Sequence, residues 1–201
     1  PMVRTLGSYL AYYERWASTW EGQALLRALH GAGDRTLTAA LLAAVDGVRY
    51  PPGGLTTRQL TEVRKLKARM ETERLPRGAD PRRHVKLGPG GLSDVEWTIQ
   101  LVQLQHAHAV PGLRTTRTLQ ALDAEVAAGL MDAADADALR EAWTMASRIR
   151  NATMLLRGRA LTPSPPTAAR CRRSPSCWGT PRASRRCSPT TGRAGPGAPA
   201  R

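Results

Sequence analysis

The chain contains no run of about eighteen apolar residues, so it offers no candidate for a helix that crosses a bilayer. Its opening stretch is equally unsuited to a signal peptide, because Arg4, Glu14, Arg15 and Glu21 interrupt the place where an apolar core is needed. The expectation is a cytoplasmic protein that does not engage a membrane. Cysteine is scarce. The three that occur, Cys171, Cys177 and Cys187, have the spacing of neither a zinc ribbon nor a redox pair, which excludes a disulfide framework and a cysteine-based metal centre. Acidic residues are few as well, 16 against 30 Lys and Arg, for a net charge of +14. Eight arginines and no acid fall in residues 160–201, so residues 1–159 hold 22 bases against all 16 acids. A surplus of about +6 there suits a domain that handles a nucleotide and does not by itself call for nucleic acid.

Residues 160–201 also lack Ile, Val and Met and contain a single Leu among eight prolines. Such a segment cannot bury enough apolar area to offset its ordering entropy and is expected to be disordered. Its bias toward Arg, Pro, Ala and Gly, whose codons are GC-rich, is also what GC-rich DNA read out of frame would give.

What is present is helical periodicity. Leu6, Leu10, Tyr13, Trp16, Trp20, Leu25 and Leu26 predict one amphipathic helix over 5–30, and a second, rich in Ala and Leu, follows over 36–48. Thr56 with Gln59 three residues later is a capping-box pattern that opens a third helix, carrying Leu60, Val63, Leu66 and Met70 on one stripe. Arg58, Arg64, Lys65, Lys67, Arg69 and Arg74 stand on its other faces among Glu62, Glu71 and Glu73. Residues 84–87 fit a short strand running into the glycine loop Gly88-Pro89-Gly90-Gly91. Residues 93–108 fit period two as well as a helix, and their length favours the helix. His106 and His108 lie two apart on it and so point to different faces. Two more helices are expected over 116–128 and 132–157, the latter with Asp132 at its N-cap and Gly158 after its end.

The stretch HVKLGPGGLSDVEW, residues 84–97, carries the chemistry. A lysine, a glycine loop and two carboxylates form a kit for a metal–nucleotide, since glycines let backbone N–H groups approach phosphate oxygens and carboxylates hold Mg²⁺. The same residues also read as a helix start, with Ser93 and Glu96 forming a capping box and Asp94 favourable to the dipole. Geometry separates the two readings. Residues two apart share a face on a strand and diverge on a helix, so Asp94 and Glu96 can chelate together only if the segment is extended.

This stretch with Gln100 resembles the K-x-G-x-G-G-x-x-D-x-E signature of the glutamine synthetase adenylyltransferase family. The segment YYERW at 12–16 with WEGQALLR at 20–27 is similar to that family's W-E-x-Q-A-L helix, VRKLKARM at 63–70 to its I-R-x-M-K helix, and LRTTRTL at 113–119 to the segment that follows in its adenylylating half. The resemblance covers residues 3–159. It implies a mainly α chain, a helical bundle following the end of a nucleotidyltransferase α/β domain, with little or no remaining sheet. The corresponding organisation is 1–50 as the remnant of that domain, 51–159 as glycine loop and bundle, and 160–201 as tail.

The resemblance further implies transfer of AMP from ATP to a tyrosine of glutamine synthetase, with Mg²⁺ and ATP as cofactors and a PII-type signal protein as a possible regulator. Matching positions make Asp94 and Glu96 the catalytic and metal-binding pair, with Lys86, Gly88, Gly90, Gly91, Arg64 and Lys67 contacting the nucleotide. For Trp20, Glu21, Gly22 and Gln23 the match implies a helix behind the active site, read here as core and hydrogen-bond support. The family's principal Asp-x-Asp metal ligands lie upstream of the matched segment, so the chain is expected not to work alone. Leu29 and His30 also stand where the family has Arg and Pro. The competing readings are a docking fragment without chemistry and a basic nucleic-acid-binding module, which the acids balancing the third helix disfavour.

Overall fold

A computed structural model of the chain describes residues 3–75 and 80–158. Eight α-helices and two single 3-10 turns, with no strand, make up the regular structure among the described residues, in accord with a mainly α chain. The tail at 160–201 lies outside them.

The single helix expected over 5–30 is two helices, α1 (Leu6–Trp16) and α2 (Thr19–Leu25). The break has a local cause. The Ser18 N–H donates to Glu21 Oε2 at 2.8 Å, a capping arrangement that restarts the helix after Ala17 and Ser18 leave helical geometry. The helix expected over 36–48 is likewise divided, into α3 (Arg35–Ala44) and α4 (Asp46–Arg49). Asp34 caps α3, its Oδ1 accepting from the Thr36 and Leu37 amides at 2.7 and 3.2 Å. At the joint, the wholly buried Val45 adopts φ −92° and ψ 3°.

Helix α5 (Thr57–Glu73) starts where the capping box places it. The Thr56 N–H donates to Gln59 Oε1 at 2.9 Å, and Thr56 Oγ1 accepts from the Gln59 amide. Helix α6 (Leu92–His106) confirms the helical reading of this segment, with Val95, Ile99 and Gln103 at steps of four facing inward. Helices α7 (Thr118–Ala127) and α8 (Ala133–Arg157) complete the set. Both predicted ends of α8 hold, since Asp132 Oδ1 accepts from Ala134 N at 2.8 Å and Gly158 sits at φ +66°.

Helix α6 is the centre of the core. Its C-terminal half packs Leu104 with Leu26, Tyr50, Leu55, Val63 and Leu113. Its N-terminal half packs Val95 and Ile99 with Ala121, Leu122 and Ala136 from α7 and α8. Each such large aliphatic contributes about 1.5–3 kcal/mol by leaving water. The second cluster therefore anchors the first turn of α6, where the glycine loop arrives.

Candidate functional site

The glycine loop is a turn rather than the end of a strand. His84 explains why: its carbonyl accepts from the Gly88 amide at 2.7 Å, and its Nδ1 accepts from the Leu87 amide at 2.8 Å, so the chain reverses where an extended strand was expected. The returning residues then bond back, Leu92 N to Val85 O at 3.0 Å and Ser93 N to Lys86 O at 2.9 Å. Gly88 is required by contact. A Cβ there would lie 2.2 Å from the Pro81 carbonyl oxygen and 2.7 Å from that of His84. At Gly90 the requirement is conformational, φ +70°, since no described residue crowds it.

The turn directs the Gly90 amide to Asp94 Oδ2 at 2.8 Å. The other oxygen, Oδ1, accepts from Lys67 Nζ, and Lys67 also donates to Glu71 Oε1. One ammonium thus bridges two carboxylates, from α5 and from the first turn of α6. Burial pulls the Lys67 pKa down, but the hydrogen bonds to Asp94 and Glu71 outweigh it and the net direction is upward, so the group is a fixed cation. Around this bridge lies a groove of about 480 Å³ lined by Arg64, Lys67, Glu71, Asp94, Trp97 and Thr98 together with apolar residues of both helices.

Of the residues singled out in the sequence, the groove gathers Arg64, Lys67 and Asp94, with the Gly90 amide at its edge. The amides of Gly88 and Gly91 are turned inward to His84 O and Gly88 O, so neither is offered to a ligand in this arrangement. Lys86 is exposed beside the turn. Glu96 goes elsewhere. On the helix it diverges from Asp94 and pairs with Arg27 at 3.5 Å, and Arg27 also donates to Thr118 Oγ1 at 3.4 Å. Asp94 and Glu96 therefore do not form one chelate. Nor does Glu96 cap the helix, which begins at Leu92 and not after Ser93.

The WEGQ segment divides in the same way. Glu21 accepts from the Tyr12 hydroxyl at 2.7 Å as well as from Ser18, and buried Gln23 donates to Gln100 Oε1 at 2.9 Å, which meets the expectation of hydrogen-bond support. Gly22 lets α2 lie against α4, since a Cβ would stand 2.7 Å from the Val48 carbonyl oxygen. Trp20 is not core: it is 54% exposed and lines a separate cleft of about 610 Å³ against Lys65 and Arg69.

Sequence reasoning missed Glu125. It is fully buried on α7, neither carboxylate oxygen has a hydrogen-bond partner among the described residues, and burial pushes its pKa up to about 8. Its i+4 neighbour relation to Ala121 on the inner face was the available signal.

Magnesium needs an oxygen-rich shell in near-octahedral geometry. Here only two carboxylates, Glu71 and Asp94, converge, and an ammonium stands between them. No group of three or more His, Cys, Asp or Glu converges among the described residues. These residues by themselves do not fit a magnesium centre.

Two families of transferases match the chain. The family described as GlnD PII-uridylyltransferase matches residues 62–161, and that described as glutamate-ammonia ligase adenylyltransferase matches residues 1–44. Among curated proteins, the bifunctional glutamine synthetase adenylyltransferase/adenylyl-removing enzyme of Cutibacterium acnes is 65% identical over 159 residues, 79% of this chain and 16% of the relative. Enzymes of the same name from Streptomyces coelicolor and Mycobacterium leprae are 59% and 57% identical over 160 and 159 residues, covering 80% and 79% of this chain and 16% of each relative. The chain belongs to the family of bifunctional glutamine synthetase adenylyltransferase/adenylyl-removing enzymes. It spans about a sixth of the length of the curated relatives it matches.

Proposed function

We propose that the α5–α6 groove contacts the phosphates of ATP within an enzyme that moves AMP from ATP onto a tyrosine of glutamine synthetase. The reaction is in-line attack of the tyrosine oxygen on the α-phosphorus, with pyrophosphate leaving. In the full-length family architecture the adenylyl group is also removed by phosphorolysis, and a PII-type signal protein is the regulator the proposal carries. The observation that supports the reading most is the bridge of Lys67 to Asp94, with Arg64 in the same groove.

An ammonium has three N–H donors, and Glu71 and Asp94 take two of them, which leaves one for a phosphate oxygen. Asp94, with both oxygens engaged, orients Lys67 and the Gly90 amide. The Arg64 guanidinium supplies a second, exposed cation for charge on the departing phosphates. The donor set described above carries no magnesium step, so none is assigned to these residues.

Calorimetric titration of the chain with ATP tests the proposal. Lys67→Met is expected to weaken ATP binding about ten-fold or more, the loss of one charge-assisted hydrogen bond to phosphate. Equal affinity of wild type and Lys67→Met, or no ATP binding by wild type, would remove the groove from the reaction.

A further inference from the structure

His84 stands outside the groove, yet it is one of the most deeply placed polar side chains, 4% exposed. Its Nδ1 accepts from the Leu87 amide at 2.8 Å. A ring nitrogen that accepts carries no proton, so the neutral imidazole holds its proton on Nε2. That Nε2 is buried without a hydrogen-bond partner among the described residues. The ring therefore keeps an unpaired donor in order to present its acceptor to Leu87. Burial holds the His84 pKa below its ordinary value, opposed by a hydrogen bond to the residue's own backbone and aided by the nearby Lys86 charge, and the net direction favours the neutral ring.

The backbone of His84 acts on the very next amide, its carbonyl accepting from Gly88 N at 2.7 Å. One residue thus holds two consecutive amides, one through its side chain and one through its main chain. The turn has no slack on its inner side, because the space over Gly88 is closed by the carbonyl oxygens of Pro81 and His84. Two residues beyond this clamp, the Gly90 amide meets Asp94 Oδ2 at 2.8 Å.

We infer that His84 is a positioning residue for the α5–α6 groove, its neutral Nε2–H imidazole fixing the 84–91 turn so that the Gly90 amide is delivered to the Asp94 carboxylate. The consequence for ATP rests on the proposed function; the consequence for the turn does not. The role is one of acceptor chemistry and not of bulk, which makes it separable from simple packing.

The test uses the full chain labelled with nitrogen-15. Imidazole-directed spectra are expected to show His84 with a bare Nδ1 and a protonated Nε2, and hydrogen exchange is expected to be slow at Leu87 and Gly90. His84→Asn, which offers an oxygen near the position of Nδ1, is expected to keep Gly90 exchange within about three-fold of wild type. His84→Leu, with similar bulk and no acceptor, is expected to speed exchange at Leu87 and Gly90 about ten-fold or more, while amides in α8 stay as in wild type. ATP affinity across the same proteins is expected to follow Gly90 protection. A ring protonated on Nδ1, or Gly90 protection unchanged in His84→Leu, overturns the inference. Should His84→Leu not fold, His84→Asn decides alone, and loss of Gly90 protection in it overturns the inference. If the exchange pattern holds while no protein binds ATP, the nucleotide reading of the groove fails and the positioning role stands.

Discussion

Glu125 makes the folded state sensitive to pH in a direction opposite to that of most carboxylates. Its carboxyl is fully buried on α7 without a hydrogen-bond partner among the described residues, and burial raises its pKa from the ordinary 4.5 to about 8. At neutral pH the folded chain therefore keeps a proton that the unfolded chain has released. Stability from this group is complete below 4.5 and is lost as pH rises toward 8. With a slope of about 1.4 kcal/mol per pH unit, the loss accumulated by pH 7 is on the order of 3 kcal/mol, a large share of a typical domain's stability. Glu125→Gln keeps the shape and removes the titration. Urea unfolding of both proteins at several pH values between 4.5 and 8 reads the difference, in which all other titrating groups cancel. The wild type is expected to fall relative to Glu125→Gln by a few kcal/mol across that range. A difference that does not change with pH would refute the reasoning and mean that the carboxyl is solvated or paired in solution.

Further predictions concern the close contacts of the turn and a buried amide on α6. Gly88→Ala must push a Cβ into the Pro81 and His84 carbonyl oxygens and is expected to cost about 2 kcal/mol or more, whereas Gly90→Ala meets only the left-handed backbone penalty of about 1–2 kcal/mol; urea midpoints measure both. Gln103 is buried on α6 and its Nε2 donates to Leu113 O at 2.7 Å and Thr115 O at 2.8 Å, so Gln103→Leu is expected to destabilise by about 2 kcal/mol or more by stranding two acceptors. Equal stability of Gln103→Leu and wild type would show that water replaces the amide there.

Much of the helix plan was legible because its signals are local. Thr56 with Gln59, and Asp132 with Gly158, set helix ends through side chains and backbone within a few residues, so spacing alone located them. The break at Ser18 was equally local, but the Ser18 and Glu21 cap lay inside an unbroken apolar period that concealed it. Residues 84–87 read as a strand in the sequence because their alternation matches period two, and only the His84 side chain and carbonyl reveal the reversal. The divergence of Asp94 and Glu96 was foreseeable once the segment was taken as helical.

The meeting of Lys67 with Asp94 was not legible in the same way. It joins residues 27 positions apart, and it depends on α5 and α6 sharing one apolar cluster, which holds Val63 and Leu104. One clue existed, since Lys67 lies four residues after buried Val63 and so shares its inward face. The exposure of Trp20 runs against side-chain preference and is set by tertiary contacts, while the burial of Glu125, though its spacing from Ala121 marks the inner face, runs against the preference of a carboxylate for water.

Covalent labelling at alkaline pH, where part of even a stabilised ammonium gives up a proton, with an ATP analogue bearing a lysine-reactive acyl phosphate tests the central assignment most directly, because it reports which lysine lies against the phosphates. Peptide mapping is expected to find the label on Lys67, suppressed by excess ATP and absent in Lys67→Met. Label confined to Lys65 in the α2–α5 cleft, or label that ATP does not suppress, would contradict the account.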